Sequence, residues 1–115
     1  MSDNAIVLTE GDEVTHTITV KRDGSAVDLS SASAVNFYAK DSEAAKGTNV
    51  VNGEACTVTD GANGVVTISF TSSHTSLSGS DTDLKGKWAV RWTISSKNEW
   101  GKKEPFTIER NDFVA

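Results

Sequence analysis

At 115 residues with 37% hydrophobic residues, the chain has the length of one domain, 1–115, and enough apolar material for one small core. Its net charge of −5 argues against the basic surfaces that hold nucleic acid or anionic membranes, and no apolar run approaches the ~20 residues that span a bilayer. The single cysteine, Cys56, excludes an intrachain disulfide framework. The opening MSDNAIVLTEGDE lacks the basic stretch and apolar core of a secretion signal, so the expectation is a chain made and kept in the cytoplasm.

In chain order, Asn4–Thr9 (NAIVLT) is a short apolar run and a plausible first or edge strand. In Glu13–Val20, Val14, His16, Ile18 and Val20 alternate with threonines, a period of two that puts each set on one face of a sheet. Lys21–Ser25 supplies a turn at Asp23-Gly24, where glycine accepts positive φ. Ala34–Ala39 alternates again, with Val35, Phe37 and Ala39 on one face and Asn36, Tyr38 and Lys40 on the other. Asp41–Thr48 is a loop with room for a single helical turn around Glu43–Lys46. Asn49–Val51 and Ala55–Thr59 flank Asn52-Gly53, a hairpin-type turn signal.

Asp60–Gly64 is another turn, followed by the strand Val65–Phe70 and a Ser/Thr-rich connection, Thr71–Leu84, whose SSHTSL stretch suits one helical turn. Gly86–Ile94 is the clearest strand: Trp88, Val90, Trp92 and Ile94 share one face, and Lys87, Ala89, Arg91 and Thr93 the other. Ser95–Lys103 reads as a polar loop containing Trp100, and Lys103–Glu109 as the last strand, with the lone Pro105 near its start. Seven to eight short strands with frequent turns predict an all-β fold, an immunoglobulin-like antiparallel β-sandwich, with a small barrel as the alternative. The expected core is Val14, Ile18, Val35, Phe37, Val66, Ile68, Phe70, Trp88, Val90, Trp92, Phe106 and Ile108.

Chemistry-bearing patterns are sparse. His16 and His74 lack metal-ligand spacing, and no GxSxG elbow accompanies the serines. Asp60…Asn63 and Asp81-Thr82-Asp83 are oxygen-rich, but they do not match the spacing of a helix-loop-helix calcium loop and read as solvated loop carboxylates. Cys56, within Ala55-Cys56-Thr57-Val58, reads as a small strand hydrophobe. The expectation is no catalytic residue, no cofactor and no metal. Trp100 differs from Trp88 and Trp92: among charged neighbours it is either an anchor for a partner or a lid folded over the sandwich end.

One ordered set of motifs runs through the chain: Gly11-Asp12, a Thr/Ile/Val strand, Arg22-Asp23-Gly24, then Val27-Asp28-Leu29-Ser30 and an alternating strand. Near the end come Leu84-Lys85-Gly86-Lys87-Trp88 and Pro105-Phe106-Thr107-Ile108. Over nearly its whole length this pattern resembles the small immunoglobulin-like domain at the N-terminus of tailed-bacteriophage upper baseplate proteins and of related short phage tail and virion proteins. The resemblance implies assembly and attachment in a virion without catalysis. It also implies other virion proteins as partners and a homo-oligomer or ring, with no nucleic acid and no membrane. Because the sequence stops at Ala115, a stand-alone tail- or baseplate-associated subunit is expected. A capsid-decorating or head-tail neck protein, or a carbohydrate-binding adhesion module, is the alternative. Expected partner-binding residues are Trp100 and the apolar residues near both ends, Ile6 and Val7, Phe113 and Val114.

Overall fold

The computed structural model describes residues 5–41, 49–77 and 83–111. Its strands are β1 (Ile6–Thr9), β2 (Thr15–Thr19), β3 (Lys21–Arg22), β4 (Ser25–Ala26), β5 (Ala34–Lys40), β6 (Asn49–Ala55), β7 (Thr57–Asp60), β8 (Val65–Ser69), β9 (Leu84–Ile94), β10 (Lys97–Trp100) and β11 (Glu104–Glu109). They form an immunoglobulin-like β-sandwich. The large sheet runs β1-β11-β9-β5-β6, with β10 also on β9; the small sheet is β2-β8-β7, and β3-β4 is a two-stranded ribbon. Strand pairs are antiparallel except β1 on β11, which run parallel from Ile6 beside Phe106 to Thr9 beside Glu109.

The alternation expected from sequence is what fills the space between the sheets. Phe37, Val90 and Trp92 from the large sheet meet Ile18, Val66 and Ile68 from the small one in a single apolar cluster, all buried. Phe37 lies at its centre, stacked on Trp88 at 5.4 Å and edge-on to Phe70 at 5.4 Å, geometries that add to the gain from burial alone. Eleven of the twelve expected core residues are buried; Val14 is the exception, at 37% exposure. Its place in the alternation is right, but it precedes the first paired residue of β2, and its carbonyl accepts from the Phe70 amide at 2.8 Å while its side chain stays exposed. The core also takes Ile6, Leu8, Val20, Leu29, Ala39, Val51 and Leu77.

Two local readings change. Asn52-Gly53 is no hairpin turn: β6 continues through it, and Gly53 (φ +77°) is the extra residue of a bulge between Asn52, opposite Tyr38, and Glu54, opposite Phe37. The bend prepares a sheet change. The chain leaves the large sheet at Ala55, the Cys56 amide donates to the Val35 carbonyl at 2.9 Å, and β7 joins the small sheet. The expected loop at 95–103 contains β10, because Ser95 (φ 53°) and Ser96 (φ 63°) both adopt left-handed geometry and close a two-residue hairpin. The helical turn expected around Glu43–Lys46 lies outside the described residues, as do Asp81 and Thr82.

The short motifs prove to be joints between elements. In Asp28-Leu29-Ser30, the Asp28 carboxylate accepts from the Ser30 hydroxyl at 2.5 Å and the Ser30 amide at 2.9 Å. Those bonds hold the Asp28 carboxyl below its ordinary range while Leu29 drops into the core at 1% exposure. In Gly11-Asp12, the Asp12 carboxylate accepts from the Thr9 amide at 2.8 Å and turns the chain from β1 towards β2. Thr75, fully buried, braces that turn: its hydroxyl accepts from the Gly11 amide and donates to the Asp12 carbonyl, both at 3.1 Å. Replacing Thr75 with Val strands both groups and is expected to destabilise the fold by about 1–3 kcal/mol, read as a lower urea midpoint, with Thr75→Ser nearer the parent. Equal midpoints for Thr75→Val and the parent would refute the bracing role.

Candidate functional site

The outer face of the large sheet carries an aromatic and cationic cluster. The β9-β10 hairpin sets Trp100 opposite Arg91, so both side chains leave the same side of the sheet. On β5 the period of two turns Tyr38 outward beside them, with Ala89 directly opposite. Tyr38 and Trp100 lie 5.0 Å apart between ring centroids, tilted by 52°. The Arg91 guanidinium sits 5.3 Å from the Tyr38 ring centroid and 6.0 Å from that of Trp100, within reach of a cation–π attraction to both. Trp100 remains 48% exposed, so it is not a lid over the sandwich end. An ion pair between Arg22 and Glu99 and a 3.1 Å bond from the Lys102 amide to the Lys21 carbonyl tie the β3-β4 ribbon to this strand.

Next to the cluster lies a groove of about 200 Å³ lined by Tyr38, Ala39, Lys40, Asn49, Lys87, Trp88, Ala89 and Lys103. Its depth has a simple origin: Ala89 is the one small side chain between Lys87 and Arg91 on the outward face of β9. The Lys40–Lys87 register places two cations opposite each other on adjacent strands, an arrangement that disfavours itself and attracts anions. On its other side Trp100 borders a second hollow, of about 460 Å³, lined with Arg22, Asp23, Gly24, Gly101 and Lys102. Thus a chain of net charge −5 gathers lysines and an arginine on one sheet face.

The remaining expected contact residues separate. Ile6 is buried in the chain's own core at 2% exposure, whereas Val7, its neighbour on edge strand β1, is 55% exposed. Phe113 and Val114 lie outside the described residues. Tyr38 and Arg91 did not stand out in the sequence. Their signal was present in the outward residues of two strands, but it emerges only when β5 and β9, some fifty positions apart, are known to be neighbours.

Elsewhere the polar groups are engaged in the fold. Among the described residues no three His, Cys, Asp or Glu side chains are grouped as a metal site. His16 and His74 each meet the Phe70 ring edge-on, at 5.8 and 6.2 Å, and His74 Nδ1 accepts from the Thr71 amide. Asn63 donates to the Asp60 carboxylate at 2.9 Å, and the Asp83 carboxylate accepts from the Arg110 amide at 2.8 Å.

Burial, reinforced by the Glu54 carboxylate, pushes the Cys56 thiol up to about 12 from its ordinary 9.0. Near neutral pH it therefore holds about a thousandfold less thiolate than a free cysteine, and thiolate is the reactive form. Cys56 is expected to react with a disulfide reagent at pH 8 far more slowly in the folded protein than in urea; equal rates would contradict this. The folded chain keeps a proton that the unfolded chain releases near pH 9.0, so this contribution to stability is complete below that pH and declines as pH rises towards 12.

No family model and no curated protein matches the chain. Among solved structures it is similar to the N-terminal domain of phage TP901-1 ORF48, with a TM-score of 0.57 at 10% sequence identity, over 92% of this chain and 85% of that one. At that identity what is shared is the fold: this chain is built as the N-terminal domain of a phage protein is built.

Proposed function

We propose that the chain is a single-domain, non-enzymatic structural component of a tailed-phage particle, a tail- or baseplate-associated subunit that assembles through protein–protein contacts. The observation that carries this reading is the match of the two-sheet sandwich to a phage N-terminal domain over nearly its whole length. The motif order supports it, because Gly11-Asp12 and Asp28-Leu29-Ser30 act as joints of that fold. Other virion proteins are the proposed partners, with a homo-oligomer or ring as the assembled form.

Quantitative mass spectrometry of purified particles tests the reading. The chain is expected in fixed ratio to the other tail proteins and in tail fractions after the heads are removed. Its absence from intact particles that contain the other tail proteins would overturn the proposal. A second reading, a carbohydrate-binding module, draws on the exposed Trp100 beside Tyr38, because such a platform stacks on sugar rings as well as on peptide.

A further inference from the structure

We infer that the groove beside Tyr38 is a docking site for an acidic, extended segment of a partner protein, whose carboxylates meet Lys87, Lys103 and Arg91 while an apolar side chain rests against Tyr38 and Trp100. This rests on the proposed assembly role and names the chemistry of the partner. Four observations support it. Lys87 and Lys103 both line the groove, and none of its lining residues is acidic. The Arg91 guanidinium stands beside the groove over the Tyr38 and Trp100 rings, 5.3 and 6.0 Å from their centroids, and so carries the cationic face onto the aromatic pair. Trp100 and Tyr38 supply a rigid aromatic pair beside these cations, the residue types that dominate binding energy at interfaces.

The fourth observation is size. About 200 Å³ is below the roughly 300–1,000 Å³ of drug-sized ligand sites, but it accommodates one or two side chains of a strand laid across the sheet. The charge balance selects further. A long polyanion would also run over the rest of a molecule of net charge −5 and be repelled there, whereas a short acidic segment meets only the cationic face. Opposite charge on the two partners also speeds their encounter and sets their register.

The test uses the whole 115-residue chain with a glutamate octapeptide carrying one central leucine as the probe, followed by amide and indole NMR shifts at low and high salt. Saturable shifts confined to the segments around Tyr38, Lys87–Arg91 and Trp100, weakened by salt, are expected. Lys87→Gln combined with Lys103→Gln should weaken binding about tenfold, while Lys97→Gln with Arg110→Gln, the same charge change away from the groove and from Trp100, should leave it within about threefold. Dispersed spectra show that each variant is folded. Shifts spread over the whole surface, equal losses in the two double variants, or tighter binding of an oligogalacturonate of matched charge would each overturn the inference, the last in favour of an acidic glycan. Because the titration needs no virion, its failure leaves the particle assignment standing, and absence of the chain from particles leaves the titration result standing.

Discussion

Trp92→Ala is expected to lower the unfolding free energy by about 3–5 kcal/mol, the usual range for truncating a fully buried large ring. Trp92 is 2% exposed and belongs to the central strand β9, with Val35 of β5 opposite it on the inner face. Its removal opens a void between two sheets whose hydrogen-bond ladders cannot both close over it. Gly101 adds a constraint, because its backbone lies against the Trp92 ring: a β-carbon placed there would approach the ring at 3.2 Å. Against a total stability of about 5–15 kcal/mol for a domain of this kind, that loss is a large fraction of the whole. Trp100→Ala is the internal control, since its ring is half exposed, and its loss should cost less than about 1 kcal/mol. Urea denaturation followed by circular dichroism measures both; similar midpoints for the two variants would mean that Trp92 is not the core residue its burial indicates.

The second large effect is expected from Gly64→Ala, at about 2–4 kcal/mol, combining left-handed backbone strain with a steric conflict. Gly64 has φ +69°, and a β-carbon there would lie 2.6 Å from the Val27 carbonyl oxygen and 2.9 Å from that of Val20. Neither oxygen can easily retreat. The Val20 carbonyl accepts from the Val27 amide, and the Val20 amide donates to the Gly64 carbonyl, so moving one strand breaks bonds on the other. Gly24→Ala separates the two causes: it has φ +82° but nothing within 4 Å of the added carbon, so only the backbone preference remains, at about 1 kcal/mol. Gly64→Asn keeps the clash but uses a residue that tolerates left-handed geometry. If Gly64→Asn matched the parent in thermal melting, close approach would be excluded as the cause.

Much of this architecture was legible because burial on one face writes a period of two. Val66, Ile68 and Phe70 in one segment and Trp88, Val90 and Trp92 in another are all buried, and a local pattern is enough to place them. What the pattern does not record is where a sheet ends, hence Val14, nor a turn made without glycine, hence the Ser95-Ser96 hairpin and the strand status of Trp100. It also confuses a glycine that bends a strand with one that reverses it, as at Gly53. The candidate site was half visible. Trp100 drew notice as an aromatic among charges, but Tyr38 and Arg91 gain meaning only from pairing across the chain, a long-range choice that no short window of sequence contains.

The parallel pairing of β1 with β11 has a mechanical consequence. The two strands run in the same direction, so the described chain enters the sandwich at one end, beside the start of β11, and leaves at the other, beyond Glu109. Tension applied between residues 5 and 111 pulls the two strands along their lengths in opposite senses. The bonds between them are loaded together, in shear, and must yield together. A pull applied at Thr9 and Glu109, which lie side by side, would peel the same bonds one at a time. Single-molecule stretching from the two pairs of attachment points compares these cases directly, with a higher rupture force expected for the first and equal forces counting against it.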